Sequence, residues 1–303
     1  MLIKIKHAAG DRYAMSSRAL TREVIQRMYA FNQAEGRSDV QAFRPRTEKA
    51  KESWGNPRRR LLVHAVLTLA FVCLLRIDEA LSLRFEDIMF HSPEKIEVTL
   101  FSRKTHPYGG LVQTSISLVL SSYILLGSKP YHLWMLKPQD EALCPVRALA
   151  RWIQACGQDN CRGYVFRAPG SNGQAPARFK DQPIVSYIAW LGEPVNISSC
   201  NQNSSAFLDL FRNNLLDIGI DGDLYGGQSC RRGGCQWLVR DLRWPILRVC
   251  DWGVWSKDFS HSSIIRYLFS WNDNPYEPRE DFFNPNRKPN IVCHTCGRSC
   301  WCN

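Results

Sequence analysis

Fifteen consecutive residues, Leu61 to Leu75, carry only two polar side chains, His64 and Thr68. A helix built from them is apolar on nearly every face and can satisfy that surface only by being surrounded. The run is too short to cross a bilayer and is flanked by Arg58–Arg60 and Arg76. It therefore predicts the central helix of a core to which several other elements must contribute.

Those elements can be read on either side of it. Thr21 followed by Glu23 forms a cap ahead of Val24, Ile25, Met28 and Tyr29 at helical spacing. Residues 1–18 read as an N-terminal tail, and Asn32–Arg60 as a polar, basic stretch containing a loop. From Lys95 to Phe101, Ile96, Val98 and Leu100 alternate with Glu97 and Thr99, the pattern of a half-buried strand. Ser102-Arg103-Lys104-Thr105 then runs toward the turn signal Gly109-Gly110. Pro145 opens a helix with Leu149, Trp152 and Ile153 on one side, and Tyr164–Phe166 reads as a short extended piece. Further helices are expected at Phe207–Leu216 and around Arg231–Arg240, Trp244–Cys250 and Ser262–Trp271. The fold class that follows is mainly α with a small antiparallel β-sheet, an α+β domain over residues 19–283.

The balance of charge narrows the partners. Thirty-nine Lys and Arg face 28 Asp and Glu, a net +11. Such an excess favours polyanions, since basic side chains displace the counterions condensed on nucleic acid. Eight of the 12 cysteines are scattered between Cys73 and Cys250, and Met1–His7 lacks the apolar stretch of a secretory signal. Reduced thiols in an intracellular, soluble protein are expected, and the sequons at Asn196 and Asn203 then carry no sugar. Residues 111–128 are free of charge but hold six Ser or Thr and one Gln, which argues against a membrane span.

One reaction on DNA matches several short motifs. Breaking a phosphodiester without metal takes a nucleophile, for which a Tyr hydroxyl serves, forked cations for the non-bridging oxygens, and a proton for the departing oxygen. Leu75-Arg76-Ile-Asp-Glu79-Ala-Leu81-Ser-Leu83, closed by Asp87-Ile, resembles the first-arginine box of tyrosine recombinases. Lys104, beyond the Lys95–Phe101 strand, matches the hairpin lysine of that family, and Leu143–Leu149 is similar to its connecting helix. Gly226-Gly-Gln228-Ser-Cys-Arg231-Arg-Gly-Gly234 resembles its second-arginine box, Trp252-Gly-Val-Trp255-Ser256 its G-x-[HW]-S element, and Ser262–Leu268 its nucleophile segment. The boxes occur in family order, and their wording is most similar to Crypton-like recombinases of fungal mobile elements.

The resemblance implies the catalytic-domain fold of DNA breaking-rejoining enzymes and a role for each residue. Arg76 and Arg231 clamp the scissile phosphate, with Glu79 orienting Arg76 from behind. Lys104 protonates the leaving 5′ oxygen, Trp255 offers its indole N–H to a phosphate oxygen, and Tyr267 attacks to leave a 3′-phosphotyrosine. No metal or cofactor is required. The implied partner is double-stranded DNA, bound by tetramers, in the nucleus, with a separate N-terminal clamping domain expected elsewhere. Gln228 departs from the family pattern, which has His there. A Gln amide donates a hydrogen bond but cannot move a proton, so slowed or lost chemistry with retained phosphate binding is the second reading: an impaired or domesticated DNA-binding protein. The gap from Trp255 to Tyr267 is longer than in better-known members, leaving His261 as an alternative donor.

Three segments stand outside this pattern. Residues 111–128 and 186–204 read as insertions looped out of the core. The tail, residues 284–303, packs Cys293, Cys296, Cys300 and Cys302 into ten positions, a spacing that suits a zinc tetrahedron or a tail with incidental metal affinity.

Overall fold

The computed structural model describes residues 17–34, 54–100, 129–156, 163–166, 203–255, 263–268 and 273. The described residues are mostly helical, with one small antiparallel sheet. Helix α1 spans Arg22–Gln33 and α2 spans Pro57–Val72. The short helix α3 follows at Ile77–Leu81. Strands β1 (Ile88–Ser92), β2 (Lys95–Val98) and β3 (Tyr131–Trp134) form the sheet in that order. Five helices complete the order: α4 at Pro145–Cys156, α5 at Asn203–Leu216, α6 at Ser229–Gln236, α7 at Ile246–Trp252 and α8 at Ser263–Leu268.

Helix α2 is the hub. It begins where Asn56 accepts a hydrogen bond from the Arg58 N–H and Pro57 supplies a preset φ. It thus starts earlier than the apolar run, with Arg58–Arg60 as its first turn rather than part of a loop. Every residue from Leu62 to Phe71 is buried, and α1, α3, α4, α5 and α6 all pack on it. Thr68 returns its hydroxyl to the His64 carbonyl at 2.9 Å, so its polar group is satisfied within the helix. Arg60 is spent on structure: its guanidinium donates to Asn32 at 2.7 Å and to Asp217 at 2.6 Å, tying α1 and α5 to α2.

The sheet follows the expected alternation. Ile96 and Val98 point inward and pair with Leu133 and Tyr131 on β3 and with Phe90 and Ile88 on β1. Tyr164 forms an isolated bridge with Arg84. The segment joining β2 to β3, with Lys104 and the first expected insertion, lies outside the described residues, as do His261 and the four tail cysteines. Of the second expected insertion only Asn203 and Ser204 are described, and they begin α5. Ser17 and Arg18, the end of the expected tail, are held: the Arg18 N–H donates to the Leu224 carbonyl at 2.7 Å and the Ser17 carbonyl accepts from Arg232. Among the described residues no helix is long and apolar enough to cross a membrane.

Helix α6 comes closest to its neighbours. A Cβ on Gly233 would lie 1.7 Å from the Leu20 carbonyl oxygen, and one on Gly234 would lie 1.9 Å from that of Phe71. The two glycines let α6 wedge backbone to backbone between the 17–21 segment and α2.

Two predictions follow from this packing. Gly234→Ala forces α6 off α2 and is expected to lower stability by about 3 kcal/mol, measured by urea unfolding. His64 is buried beside the Tyr29 ring, and burial pushes its pKa down to about 3. Its folded value lies below its unfolded one, so protons bind preferentially to the unfolded chain. Stability is then expected to fall as pH drops from about 6.5 toward 3, by up to about 1.4 kcal/mol per pH unit. His64→Leu is expected to flatten that acid-side slope in unfolding curves taken across this range.

Candidate active site

Two of the expected site residues follow the same kind of turn. At the end of α2, Leu74 adopts φ 54° and the Leu75 N–H donates back to the Ala70 carbonyl at 2.9 Å. At the end of α7, Val254 adopts φ 52° and the Trp255 N–H donates back to the Cys250 carbonyl at 2.8 Å. Both are left-handed helix terminations of the kind that ordinarily use glycine. A leucine and a β-branched valine stand there instead, each at a conformational cost. The first turn delivers Arg76 as the cap of α3. The second folds Trp255 back over Gly253, where a Cβ would meet the indole at 2.8 Å.

Glu79 joins the two arginines. Its carboxylate accepts the Arg76 N–H at 2.8 Å, closing a capping box, and pairs with the Arg76 guanidinium at 3.2 Å. The same group lies 3.6 Å from the Arg231 guanidinium. The expected support for Arg76 is present, and its reach to Arg231 is an addition that the spacing along the chain did not signal. Asp87, by contrast, accepts from the Arg84 N–H at 2.7 Å and shapes the turn into β1, away from these groups.

Arg231 projects from α6 against both aromatic residues. Its guanidinium carbon lies 5.1 Å from the Trp255 ring centre and 5.4 Å from that of Tyr267, and the two rings are 4.8 Å apart. Arg231 is 4% exposed while Tyr267 is only half-buried, so the cation is sheltered and the phenol sits at the rim. The Trp255 indole N–H is buried and has no hydrogen-bond partner among the described residues. Gln228 precedes α6 as its cap residue, and its side-chain oxygen is likewise buried without a partner among those residues. The structure thus brings Arg76, Glu79, Arg231, Trp255 and Tyr267 into one chain of contacts, with Gln228 at the mouth of the same helix. Lys104 is outside the described residues.

Behind Arg231, a second set of residues escaped the sequence reading. Arg232 pairs with Asp273 and Gln236 donates to the same carboxylate at 2.9 Å. Burial lowers the Arg232 pKa, with Asp273 pulling it back up. The i, i+4 spacing of Arg232 and Gln236 put them on one face of α6, but nothing near Asp273 in the sequence marked it as their partner. The neighbouring thiols are inert: burial raises Cys230 strongly and Cys235 to about 12.

Taken together, the site offers two guanidinium groups sharing one carboxylate, an N–H donor without a partner among the described residues, and a phenol beside them. That set can receive a tetrahedral anion and present a hydroxyl to it. No model of a known protein family and no curated protein sequence matches the chain.

Val254→Gly removes the strain ahead of Trp255 and is expected to raise stability by about 0.5–1 kcal/mol in urea unfolding.

Proposed function

We propose that this chain is a DNA breaking-rejoining enzyme of the tyrosine recombinase type, acting through a 3′-phosphotyrosine. The observation that carries the reading is the packing of Arg231 on both Trp255 and Tyr267, with Glu79 reaching from Arg76. Residues nearly 200 positions apart along the chain meet in the order that the family resemblance requires. A buried cation beside a rim tyrosine has little value to a core, whereas an anion seated on the guanidinium groups would bring phosphorus to the phenol.

In the proposed reaction the Tyr267 oxygen attacks phosphorus and the bond to the 5′ oxygen breaks. Arg76 and Arg231 hold the non-bridging oxygens as charge grows on them, and the Trp255 N–H adds a hydrogen bond. Lys104 gives the departing 5′ oxygen its proton. The ester conserves the energy of the broken bond, so the 5′ hydroxyl of another strand can reverse the step without ATP. The net charge of +11 suits a duplex held mainly through its phosphates. The mainly helical α+β architecture agrees with such a catalytic domain in its general class. Tetramers on two duplexes and a nuclear setting belong to the same proposal.

Gln228 supports a second reading, that of a DNA binder with impaired chemistry. Its amide can donate to a phosphate oxygen but cannot relay the proton that the phenol must lose. Binding would then survive while strand cleavage slowed.

A nicked suicide duplex separates the two. Wild-type protein is expected to form a denaturation-resistant protein–DNA adduct that is absent from Tyr267→Phe and forms about 100-fold or more faster in Gln228→His. Salt-sensitive binding with no adduct in either the wild type or Gln228→His would establish the binder and overturn the enzyme.

A further inference from the structure

We propose that Gln236 and the buried Asp273–Arg232 pair are positioning residues, a clamp that fixes the backbone of Tyr267 relative to Arg231. This rests on the recombinase reading for its purpose, though not for its geometry.

Six described residues form helix α8, a length that depends on packing for stability. Ile264 and Leu268 are its buried anchors, while Ile265 and Arg266 are exposed. Side chains from α6 and the turn beyond it meet its last carbonyls. The Gln236 amide donates to the Tyr267 carbonyl at 2.9 Å and to that of Leu268 at 3.3 Å, and Arg240 donates to the Leu268 carbonyl at 3.3 Å. Gln236 is itself held: its amide also donates to Asp273 at 2.9 Å, and the residue is 1% exposed. Asp273 is anchored in turn by Arg232 and by the Ala19 N–H at 2.9 Å.

Helix α6 therefore sets both reacting partners from adjacent positions. Arg231 carries the cation, while Arg232 and Gln236, on the neighbouring face, lock the carbonyl of the nucleophile residue. A buried ion pair between Arg232 and Asp273 would be satisfied without Gln236. What Gln236 adds is the link from that pair to the backbone carbonyl of the residue that carries the phenol. Misplacement of a nucleophile by about 1 Å can cost about 100-fold in rate, so the clamp acts on the chemical step and leaves DNA affinity alone.

The test uses Gln236→Met, similar in volume but without a donor, and Gln236→Glu. Three quantities are measured: DNA affinity, the single-turnover rate of adduct formation on the suicide duplex, and the fluorine NMR signal of 3-fluorotyrosine placed at position 267 in the DNA-free protein. Gln236→Met is expected to bind DNA as the wild type does, to form adduct about 100-fold more slowly, and to split or broaden a fluorine signal that is single in the wild type. In Gln236→Glu the new carboxylate opposes Asp273 until it is protonated. Its adduct rate relative to wild type is therefore expected to rise as pH falls, which a merely structural loss would not produce. A Gln236→Met protein with wild-type rate and an unchanged fluorine signal overturns the clamp. If the wild type forms no adduct, the recombinase reading fails while the fluorine signal still decides the clamp: unaltered in Gln236→Met it is rejected, altered it stands. Should Gln236→Met not fold, the pH response of Gln236→Glu decides, and a flat ratio rejects the proposal.

Discussion

The backbone of α6 touching the backbones of its neighbours is the constraint from which the rest of this structure follows. Contact at Gly233 and Gly234 leaves no room for a side chain on that face, so the helix cannot slide or rotate without a clash. The N-terminal segment adds a hydrogen bond from the Leu20 N–H to the Ser229 carbonyl at 2.9 Å, fixing the start of the helix. With α6 immobile, every residue it carries has one address. Gln228 stands at its entrance, Arg231 faces the aromatics, and Arg232 and Gln236 face Asp273. A helix held by bulky side chains would repack after small perturbations, whereas one held by main-chain contact has no such freedom.

Charge at the site is shared between two arginines and one carboxylate. Among the described residues, Glu79 is the carboxylate shared by Arg76 and Arg231, in a partly dry setting. Fixed charges in such surroundings act over longer distances than exposed ones, because little water screens them. The rings of Trp255 and Tyr267 stabilise the Arg231 guanidinium through their faces without neutralising it. The Arg232–Asp273 pair is different, since its charges cancel and its carboxylate is sealed from solvent. Two neighbouring arginines in one box thus differ in setting, Arg231 packing on the Trp255 and Tyr267 rings and Arg232 pairing with Asp273 inside the fold.

Much of the fold was legible because it depends on local pattern. The all-round apolar run demanded a central helix, and the alternation of Ile96, Val98 and Leu100 demanded a strand. Helix ends were less legible: Arg58–Arg60 looked like a basic flank, yet Asn56 and Pro57 start α2 before them. The motif order pointed to Arg76, Arg231, Trp255 and Tyr267, which the structure brings into a connected group. What the sequence withheld were contacts between residues distant along the chain. The reach of Glu79 to Arg231 depends on how α3 lies against α6, and Asp273 is an ordinary acidic residue until the fold buries it. The left-handed turns at Leu74 and Val254 were hidden for another reason: with no glycine there, nothing local announces them. Such turns persist only where surrounding packing over-determines them, and a site residue follows each within two positions: Arg76 after Leu74 and Trp255 after Val254.

On the proposed reading, Gln228 separates two kinds of work that a phosphoryl-transfer site performs together. Holding a phosphate requires positive charge and N–H donors in fixed places, and the two arginines, the Trp255 indole and a Gln amide all provide these. Moving a proton requires a group whose pKa lies near the working pH, which an amide lacks. In the proposed reaction the phenol must still lose its proton as its oxygen bonds to phosphorus, and without an imidazole at 228 water or the phosphate itself would take it. Because Tyr267 is half-buried at the rim and not sealed inside, water can reach it. On the proposed reading, Gln228 keeps a donor for the anion and leaves a slower route open for the chemistry.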